Sequence, residues 1–194
     1  LLDDAGLAPG DDGVRARDGK RFEIDLWGVE DDERARVILD LVAASWNEIG
    51  ISTLVRTAPA ETLWGPLGYQ FSDRMTACLY TWTNANDPDD LFYWHSSQIP
   101  THPGGSGGNL PAFFYPFSFQ EEIDNLTVDA ASTLDFTKRQ KLYAEIQALL
   151  AEEAPVLFLY WEQAFPAVRQ DIGGFWHSAW TPLLWNASEW YIAD

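Results

Sequence analysis

The chain has 194 residues, a length typical of one compact domain or of one domain with an appendage. Hydrophobic residues make up 46% of it and charged residues 22%, a composition that indicates a globular fold and argues against extensive disorder. Its formal net charge of −18 would repel a nucleic-acid backbone and anionic lipids, so we expect no nucleic-acid partner. The sequence contains no apolar run of roughly eighteen residues and no signal pattern, so we predict no membrane segment within these residues.

Aromatic residues are unusually numerous. Ten Trp, eleven Phe and seven Tyr are more than one small core requires. We expect some of these rings to line a cavity or to meet another domain, although a purely structural role in the core is an open alternative. The single cysteine, Cys78, lies in an apolar run and cannot form an internal disulfide, so we predict a small buried hydrophobe there.

The amino-terminal part predicts a β-hairpin followed by a strand, a helix and a second strand. Asp18-Gly19 is a turn dipeptide, and residues 22–27 alternate apolar and polar side chains as a half-buried strand does. A helix capped by Asp31 or Asp32 should follow and end at Gly50, with the next strand over residues 51–55. The helix is predicted to bury one face, formed by Ile38, Leu41, Val42, Ser45 and Ile49. Strand, helix, strand is the unit of α/β folds, and we predict a mixed β-sheet with helices on both faces.

The middle of the chain predicts a buried strand and two loops. Residues 75–82 form a mostly apolar run suited to a buried strand, and residues 83–90 are rich in Asn, Asp and Pro, which favour a loop. Residues 91–95 predict a helical turn. The glycine-rich residues 100–109 predict a surface loop.

Two helices and an apolar carboxy-terminal part complete the pattern. Helices are predicted over residues 120–132 and 136–153, and the second should pack on the sheet through the stripe Leu142, Ile146, Leu149 and Leu150. Residues 156–161 are strongly β-prone and predict a strand, with a second over residues 165–168. From Gly173 onward the chain is aromatic with little periodicity, so we expect that this tail cannot bury itself well alone.

The sequence carries no recognisable catalytic or metal-binding motif. None of His95, His102 and His177 has a Cys or His partner at metal-ligand spacing, and no Gly-x-Ser-x-Gly elbow occurs. The carboxylates within residues 87–90 lack the spacing of an EF-hand calcium loop. We therefore expect no catalytic residue, no metal and no cofactor.

A binding arrangement is the remaining candidate for function. The predicted strand 75–82 ends at Trp82, and the loop after it presents Asn84, Asn86 and Asp87. In open α/β sheets, ligands bind beyond the carboxyl ends of the strands, where loops place polar groups above a packed base. Trp82 would then form a wall of the site. Alternatively, Trp82 belongs to the core and the loop side chains satisfy backbone groups of the turn.

The order of motifs along the chain resembles one protein family. The motifs are Leu-Leu-x-x-Ala-Gly-Leu at the start, Asp-Asp-Gly-Val-Arg-x-x-Asp-Gly from Asp11, Trp46 to Ile51, Trp82 leading to Asp87-Pro88-Asp89, Ser96 to Pro100, Gly108-Asn109, Glu122 to Asp124, Arg139 to Gln147, Glu153-Ala154-Pro155 and Trp185-Asn186. Together they are similar to the carboxy-terminal part of the family 5 extracellular solute-binding proteins, the dipeptide, oligopeptide and nickel receptors of ABC importers. The resemblance runs in order over essentially the whole chain, so it is more specific than any single motif.

The resemblance implies one lobe of a two-lobed receptor with the periplasmic-binding-protein-like (type II) fold, which closes on its ligand through a hinge. Residues 1–155 would be the carboxy-terminal lobe. Residues 156–194 would be a hinge-crossing strand and an aromatic tail that pack on the first lobe, outside this chain. The rings expected to meet that lobe are Trp176, Trp180, Trp185 and Trp190. The implied partners are a small solute, the first lobe and the membrane permease of an ABC transporter, and the implied location is extracytoplasmic, either periplasmic or lipid-anchored at the cell surface.

The ligand contacts of the family carry over only in part. In dipeptide-binding members an Asp three residues after the Trp pairs with the amino terminus of the ligand, whereas this chain has Ala85 there. An Arg between the first strand and the helix holds the ligand carboxylate in those members, whereas residues 27–32 here are acidic and form a shorter loop. The prediction is therefore a peptide-like or other small organic solute, and not specifically a dipeptide. The residues predicted to contact it are Trp82, Thr83, Asn84, Asn86, Asp87, Tyr80 and Trp27.

The predicted function is solute binding for import, without turnover. The alternative left open is an aromatic-rich carbohydrate-binding module or a glycoside hydrolase domain. A hydrolase would bring two carboxylates to face each other across a cleft at about 5 to 10 Å.

Overall fold

The computed structural model describes residues 1–83, 87–163, 165–178 and 182–193, apart from the side chain of Phe114. It contains two compact units, one formed by Leu1–Trp82 and Phe92–Pro116, the other by Thr83–Leu91 and Phe117–Asp194. The helices and strands of the first unit are β1 Ala8–Pro9, β2 Arg15–Arg17, β3 Lys20–Arg21, β4 Glu23–Val29, α1 Glu33–Glu48, β5 Ser52–Ala58, α2 Ala60–Trp64, β6 Ala77–Cys78, α3 Leu91–Trp94 and α4 Pro111–Phe114. The first residue of α3, Leu91, belongs to the second unit. Those of the second unit are α5 Gln120–Ser132, α6 Phe136–Glu153, β7 Ile172–Gly173 and β8 Tyr191–Ile192.

The predicted hairpin is present and forms a small antiparallel sheet in the order β1-β2-β3. Its two-residue turn places both Asp18 and Gly19 in the left-handed region, with φ of 52° and 75°. Such a turn matches the natural twist of the two strands, which is why Asp-Gly is a strong hairpin signal.

The main sheet places β4 between β5 and β6, and both pairings are parallel. Helix α1 connects β4 to β5, as the predicted strand-helix-strand unit requires. The carboxylate of Asp32 accepts a hydrogen bond from the Ala35 N–H at 2.9 Å and caps the start of α1. Gly50, with φ of 85°, follows its end, so the predicted boundaries of this helix are confirmed.

The buried face of α1 differs from the predicted one. Leu39 is 0% exposed and Ala43 is buried. Of the predicted face, Ile38 and Val42 are half-buried beside them, whereas Leu41 is 64% exposed and Ser45 and Ile49 are also exposed. The cause lies in β4: a Cβ on Gly28 would come within 2.5 Å of the Leu39 Cδ1, so the missing side chain of Gly28 makes room for Leu39. The helix therefore turns a different stripe towards the sheet than its apolar residues alone suggest.

The strand predicted over residues 75–82 is much shorter in the structure. Only Ala77–Cys78 pair with β4, and the Leu79 N–H continues the pairing by donating to the Trp27 carbonyl oxygen at 2.8 Å. An edge strand that pairs on one side alone is easily shortened. Cys78 is half-buried rather than fully buried, and its burial raises the pKa of the thiol to about 11.

The second unit contains the two predicted helices with the predicted bounds. The Asp135 carboxylate caps α6 by accepting a hydrogen bond from the Lys138 N–H at 2.8 Å, and Ala154 ends the helix in the left-handed conformation. Leu142, Ile146 and Leu150 are buried, as the stripe predicted. Within its unit α6 packs on α5, whose own buried residues include Ile123, and its packing on the sheet stays a prediction. None of the helices in the described part of the chain is long and apolar enough to cross a bilayer.

The carboxy-terminal part carries exposed apolar side chains where strands were predicted. Residues 156–163 and 165–168 form no strand, and Trp161 is 79% exposed. A β-prone segment becomes a strand only when it pairs with another strand, and none of the described strands pairs with this segment.

The aromatic tail contains a small structure that its sequence does not predict. β7 pairs with β8 in antiparallel fashion. The buried Asn186 side chain donates to the Gly174 carbonyl oxygen at 2.7 Å and accepts from the Trp190 indole N–H at 3.0 Å. Trp176 and Trp185 remain exposed, so the tail buries only part of its aromatic surface.

The register of α1 can be tested by two leucine substitutions. We expect Leu39→Ala to lower the free energy of unfolding by about 2 to 5 kcal/mol, because it leaves a cavity under the helix. Leu41→Ala, its matched control on the exposed face, should change that free energy by less than about 1 kcal/mol. Denaturation in urea measures both. A larger loss for Leu41→Ala would show that the helix is rotated to the face predicted from its sequence.

Candidate functional site

Five aromatic rings lie together after the end of β6 and form what we call the aromatic cluster: Trp64, Tyr80, Trp82, Tyr93 and Trp94. Trp82 is its centre. The Trp82 ring centroid lies 5.1 Å from that of Tyr80, 4.9 Å from that of Tyr93 and 5.2 Å from that of Trp94. Trp64 extends the cluster on the side of Tyr80, at 6.0 Å. Edge-on and tilted contacts at these distances are the favourable geometries for aromatic pairs.

The chain supplies these rings from three neighbouring segments of the first unit. Tyr80 and Trp82 follow β6, beyond the carboxyl end of the parallel sheet, while α2 carries Trp64 and α3 carries Tyr93 and Trp94. Trp94 is 2% exposed and forms the base, whereas Trp82 is half-buried and Tyr80 is exposed at 38%. The cluster therefore offers partly exposed rings on a rigid, buried support, which suits contact with apolar or planar groups of a ligand.

Burial of Tyr80 also affects its hydroxyl group. Loss of solvation raises the pKa of this phenol, and the neighbouring Cys78 thiol raises it further. The ordinary pKa of a tyrosine, 10.0, already keeps this hydroxyl protonated at neutral pH, so it is able to donate a hydrogen bond, and the upward shift favours that form further.

Trp27, which we also predicted as a ligand contact, belongs to a different group of side chains. Its indole N–H donates to the Arg74 carbonyl oxygen at 3.0 Å, and its ring lies edge-on to Tyr69 at 5.2 Å. The Arg56 guanidinium lies 5.9 Å from the centre of the Trp27 ring, across the β4–β5 pairing. The structure thus joins Tyr80 and Trp82 but gives Trp27 its own neighbours.

Asp87 is held by α6 within the second unit. Its carboxylate accepts two hydrogen bonds from the Arg139 guanidinium, at 2.7 and 3.0 Å, and Arg139 also donates to the Pro88 carbonyl oxygen at 3.0 Å. The Tyr143 hydroxyl donates to the same Pro88 oxygen. The guanidinium lowers the pKa of the Asp87 carboxyl, first through the hydrogen bond and then through its charge.

The remaining predicted contacts are Thr83, which is exposed, and Asn84 and Asn86, which lie outside the described residues. Sequence reasoning missed four residues that the structure brings to these sites: Trp64, Tyr93, Trp94 and Arg139. The dense aromatic run Phe-Tyr-Trp of residues 92–94 was an available signal for two of them. Arg139 begins one of the family motifs, but nothing in the sequence indicated its pairing with Asp87, which lies 52 residues away in the chain.

The described acidic residues near Asp87 do not form a metal site. Among the described residues, no group of three or more Asp, Glu, His or Cys side chains is placed to hold a metal ion. Burial raises the pKa of the Asp90 carboxyl, and the charge of Asp89 raises it further. The Asp87 carboxylate is therefore paired with Arg139, whereas the charged form of the Asp90 carboxyl is disfavoured.

In comparison with known proteins, the chain is similar to two peptide-binding proteins. No protein-family model matches the chain. It is 26% identical over 181 residues to the dipeptide-binding protein of Escherichia coli, covering 90% of this chain and 30% of that protein. It is 28% identical over 185 residues to the oligopeptide-binding protein AppA of Bacillus subtilis, covering 94% of this chain and 31% of that protein. The resemblance to family 5 solute-binding proteins is confirmed. The chain spans about a third of the length of each of these relatives.

Solved structures of such receptors have the same fold. AppA from Bacillus subtilis, in complex with a nonapeptide, aligns with a TM-score of 0.68 at 26% identity and covers 96% of this chain and 35% of AppA. NikZ from Campylobacter jejuni, in complex with Ni(L-His), aligns with a TM-score of 0.73 at 22% identity over 97% of this chain and 37% of NikZ. The α/β fold class predicted from the sequence is therefore confirmed.

The ion pair of Asp87 gives a prediction about pH. Arg139 lowers the pKa of the Asp87 carboxyl below its ordinary value of 3.8, so the charged form is favoured in the folded state. This stabilisation is fully present above about pH 4 and is lost as the pH falls through the lowered pKa. The difference in Tm between the unaltered protein and Asp87→Asn should therefore shrink as the solution is acidified. The difference should be small, because the Asp87 side chain is 76% exposed and solvent screens the pair.

A series of thermal unfolding curves from about pH 2 to pH 7 measures this difference. Asp129→Asn, which removes an exposed carboxylate from α5, is the matched control and should show no such narrowing. A difference for Asp87→Asn that stays constant over the series would contradict the ion pair.

Proposed function

We propose that this chain is the carboxy-terminal lobe of the extracytoplasmic substrate-binding component of an ABC importer. The observation that carries the proposal is its similarity, over at least 90% of its length, to two peptide-binding proteins. The whole protein would bind a peptide-like or other small organic solute in a cleft between two lobes, without catalysis, and would deliver it to the membrane permease.

The aromatic cluster is the proposed contribution of the first unit to that cleft. It follows β6 beyond the carboxyl end of the parallel sheet, the position where α/β folds bind ligands. Half-buried Trp82 and partly exposed Tyr80 leave apolar surface that a solute is able to cover, and Trp94 supports them from below. The loop residues Thr83, Asn84, Asn86 and Asp87, together with Trp27, remain proposed contacts.

The exposed apolar side chains of the carboxy-terminal part are an argument for a first lobe that lies outside this chain. Leu157, Phe158, Tyr160 and Trp161 are all exposed, and contiguous apolar surface of this kind is typical of an interface. We propose that residues 156–194 cross to the first lobe and pack on it. The relatives are about three times as long as this chain, which leaves ample sequence for such a lobe.

The carbohydrate alternative gains no support. The relatives named above are described as binding dipeptides, oligopeptides or a nickel complex. Carbohydrate binding is kept as an outcome of the experiment that follows.

Titration calorimetry of the full-length protein tests the proposal. The ligands are a library of di- to nonapeptides, a set of oligosaccharides and a nickel–histidine complex. We expect binding of at least one peptide-like solute. Trp82→Ala should weaken it by roughly 30-fold or more, because truncating a central aromatic anchor costs about 2 kcal/mol or more.

Tyr115→Ala is the matched control, since it removes an exposed aromatic ring from the same unit outside the aromatic cluster and should leave the affinity unchanged. Binding of oligosaccharides alone would support the carbohydrate alternative. No heat of binding with any of the three classes would contradict solute binding.

The proposed lobe interface gives a separate prediction. The chain expressed alone should self-associate in sedimentation experiments, because several apolar side chains of residues 157–161 are exposed to solvent, and the full-length protein should not. Replacing Leu157, Phe158 and Trp161 together by Ser should reduce the self-association. Replacing the exposed Leu41 of α1 by Ser should not. A monomeric chain would contradict an interface at this segment.

A further inference from the structure

Asn109 lies next to the base of the aromatic cluster and is 0% exposed. Its side-chain Nδ2 donates a hydrogen bond to the Trp94 carbonyl oxygen at 2.7 Å, and its Oδ1 accepts one from the Ala112 N–H at 3.3 Å. Its backbone N–H donates to the Gln98 carbonyl oxygen at 3.0 Å. Through its side chain and its backbone N–H, this one buried residue therefore connects the end of α3, the turn that follows it and the start of α4.

The hydrogen bond to Trp94 satisfies a backbone carbonyl group that α3 itself leaves without a donor. A helix of four residues cannot provide hydrogen-bond donors for its last carbonyl groups, and the Trp94 carbonyl is at its end. Leaving such a group buried without a donor costs about 1 to 3 kcal/mol. Asn is suited to the position because its amide donates and accepts at the same time.

Gly108 makes this approach possible. A Cβ at this position would lie 2.5 Å from both the carbonyl oxygen and a ring carbon of Phe92 in α3. Only a glycine lets the backbone come this close to the helix, so the Gly108-Asn109 pair acts as one unit.

The position of Trp94 influences the orientation of Trp82, which belongs to the partly exposed side of the cluster. The Trp94 ring meets the Trp82 ring edge-on, with an interplanar angle of 88° and a centroid distance of 5.2 Å. Closely packed rings of this size have few alternative arrangements, so a shift of the α3 backbone would change the orientation of Trp82.

We propose that Asn109 is a positioning residue for solute binding: by holding the end of α3 it fixes Trp94, and through Trp94 it fixes the orientation of Trp82. The proposal rests on the proposed function, in which the aromatic cluster contacts the solute. Asn109 itself is fully buried and touches no ligand.

The experiment compares the unaltered full-length protein with Asn109→Asp. This substitution keeps the size of the side chain and the acceptor for Ala112, but it removes the donor to the Trp94 carbonyl oxygen. The control is Thr127→Val in α5, which removes a buried hydroxyl that donates to the Ile123 carbonyl oxygen at 2.8 Å, far along the chain from the aromatic cluster.

Three quantities are measured for each protein: the Tm, the circular dichroism band of the coupled Trp82 and Trp94 indoles, and the affinity for the peptide of the library that binds the unaltered protein best. The band is assigned from its loss in Trp82→Phe. We expect Asn109→Asp to weaken this band and to lower the affinity about tenfold, which corresponds to the loss of one buried hydrogen bond. Thr127→Val should lower the Tm while leaving the band and the affinity unchanged.

An unchanged band and affinity in a folded Asn109→Asp protein would overturn the proposal. Equal losses of affinity in Asn109→Asp and Thr127→Val would also overturn it, because general destabilisation would then explain both. A weakened band with unchanged affinity would show that Asn109 positions Trp94. It would also overturn the proposal, because the aromatic cluster would then not be the surface that contacts the solute. If no peptide binds the unaltered protein, the proposed function fails, and the band still tests whether Asn109 holds Trp94. Should Asn109→Asp not fold, Asn109→Ala, which removes both side-chain hydrogen bonds without adding a charge, is measured in the same way and judged by the same outcomes.

Discussion

The parallel pairing of β4 on both of its sides is the constraint on which the first unit depends. Parallel neighbours cannot be joined by tight turns, so α1 must carry the chain from β4 back to β5, and residues 59–76 must carry it to β6. Because Gly28 has no side chain, Leu39 of α1 is able to pack directly against the backbone of β4. Because all three strands point the same way, the residues that follow them emerge at one edge of the sheet, and Tyr80 and Trp82 do so.

The aromatic cluster combines a buried base with exposed edges. Trp94 contributes its full apolar surface to the core, whereas Tyr80 and Trp82 leave part of theirs in water. Burying apolar surface is favourable by about 25 cal/mol per Å². A solute that covers the exposed edges of Tyr80 and Trp82 would therefore gain binding free energy. The polar contacts of Asn109 keep the base rigid, and a rigid surface loses little entropy when a ligand binds.

In the second unit, polar contacts and exposed apolar surface have different roles. Arg139 and Tyr143 hold Asp87 and Pro88 on α6 within the unit itself. Residues 157–161, by contrast, expose the kind of side chains that form strands and interfaces. The relatives are about three times as long as this chain, and the surface that would cover these residues belongs to the proposed first lobe.

The sequence by itself determined the elements whose signals are local. Turn dipeptides, capping carboxylates and the period of apolar residues predicted the hairpin, α1, β5, α5 and α6, because each signal acts within a few residues. The motif order also predicted the similarity to solute-binding proteins. Trp82, predicted as a wall of the site, lies at the centre of the aromatic cluster, although the strand before it ends at Cys78. Only the tertiary structure decided which face of α1 is buried, since the space over Gly28 outweighs the apolar period of the helix. It also decided the partner of Asp87, the neighbours of Trp27 and the absence of a strand at residues 156–161, because each depends on pairing with groups that are distant in the chain.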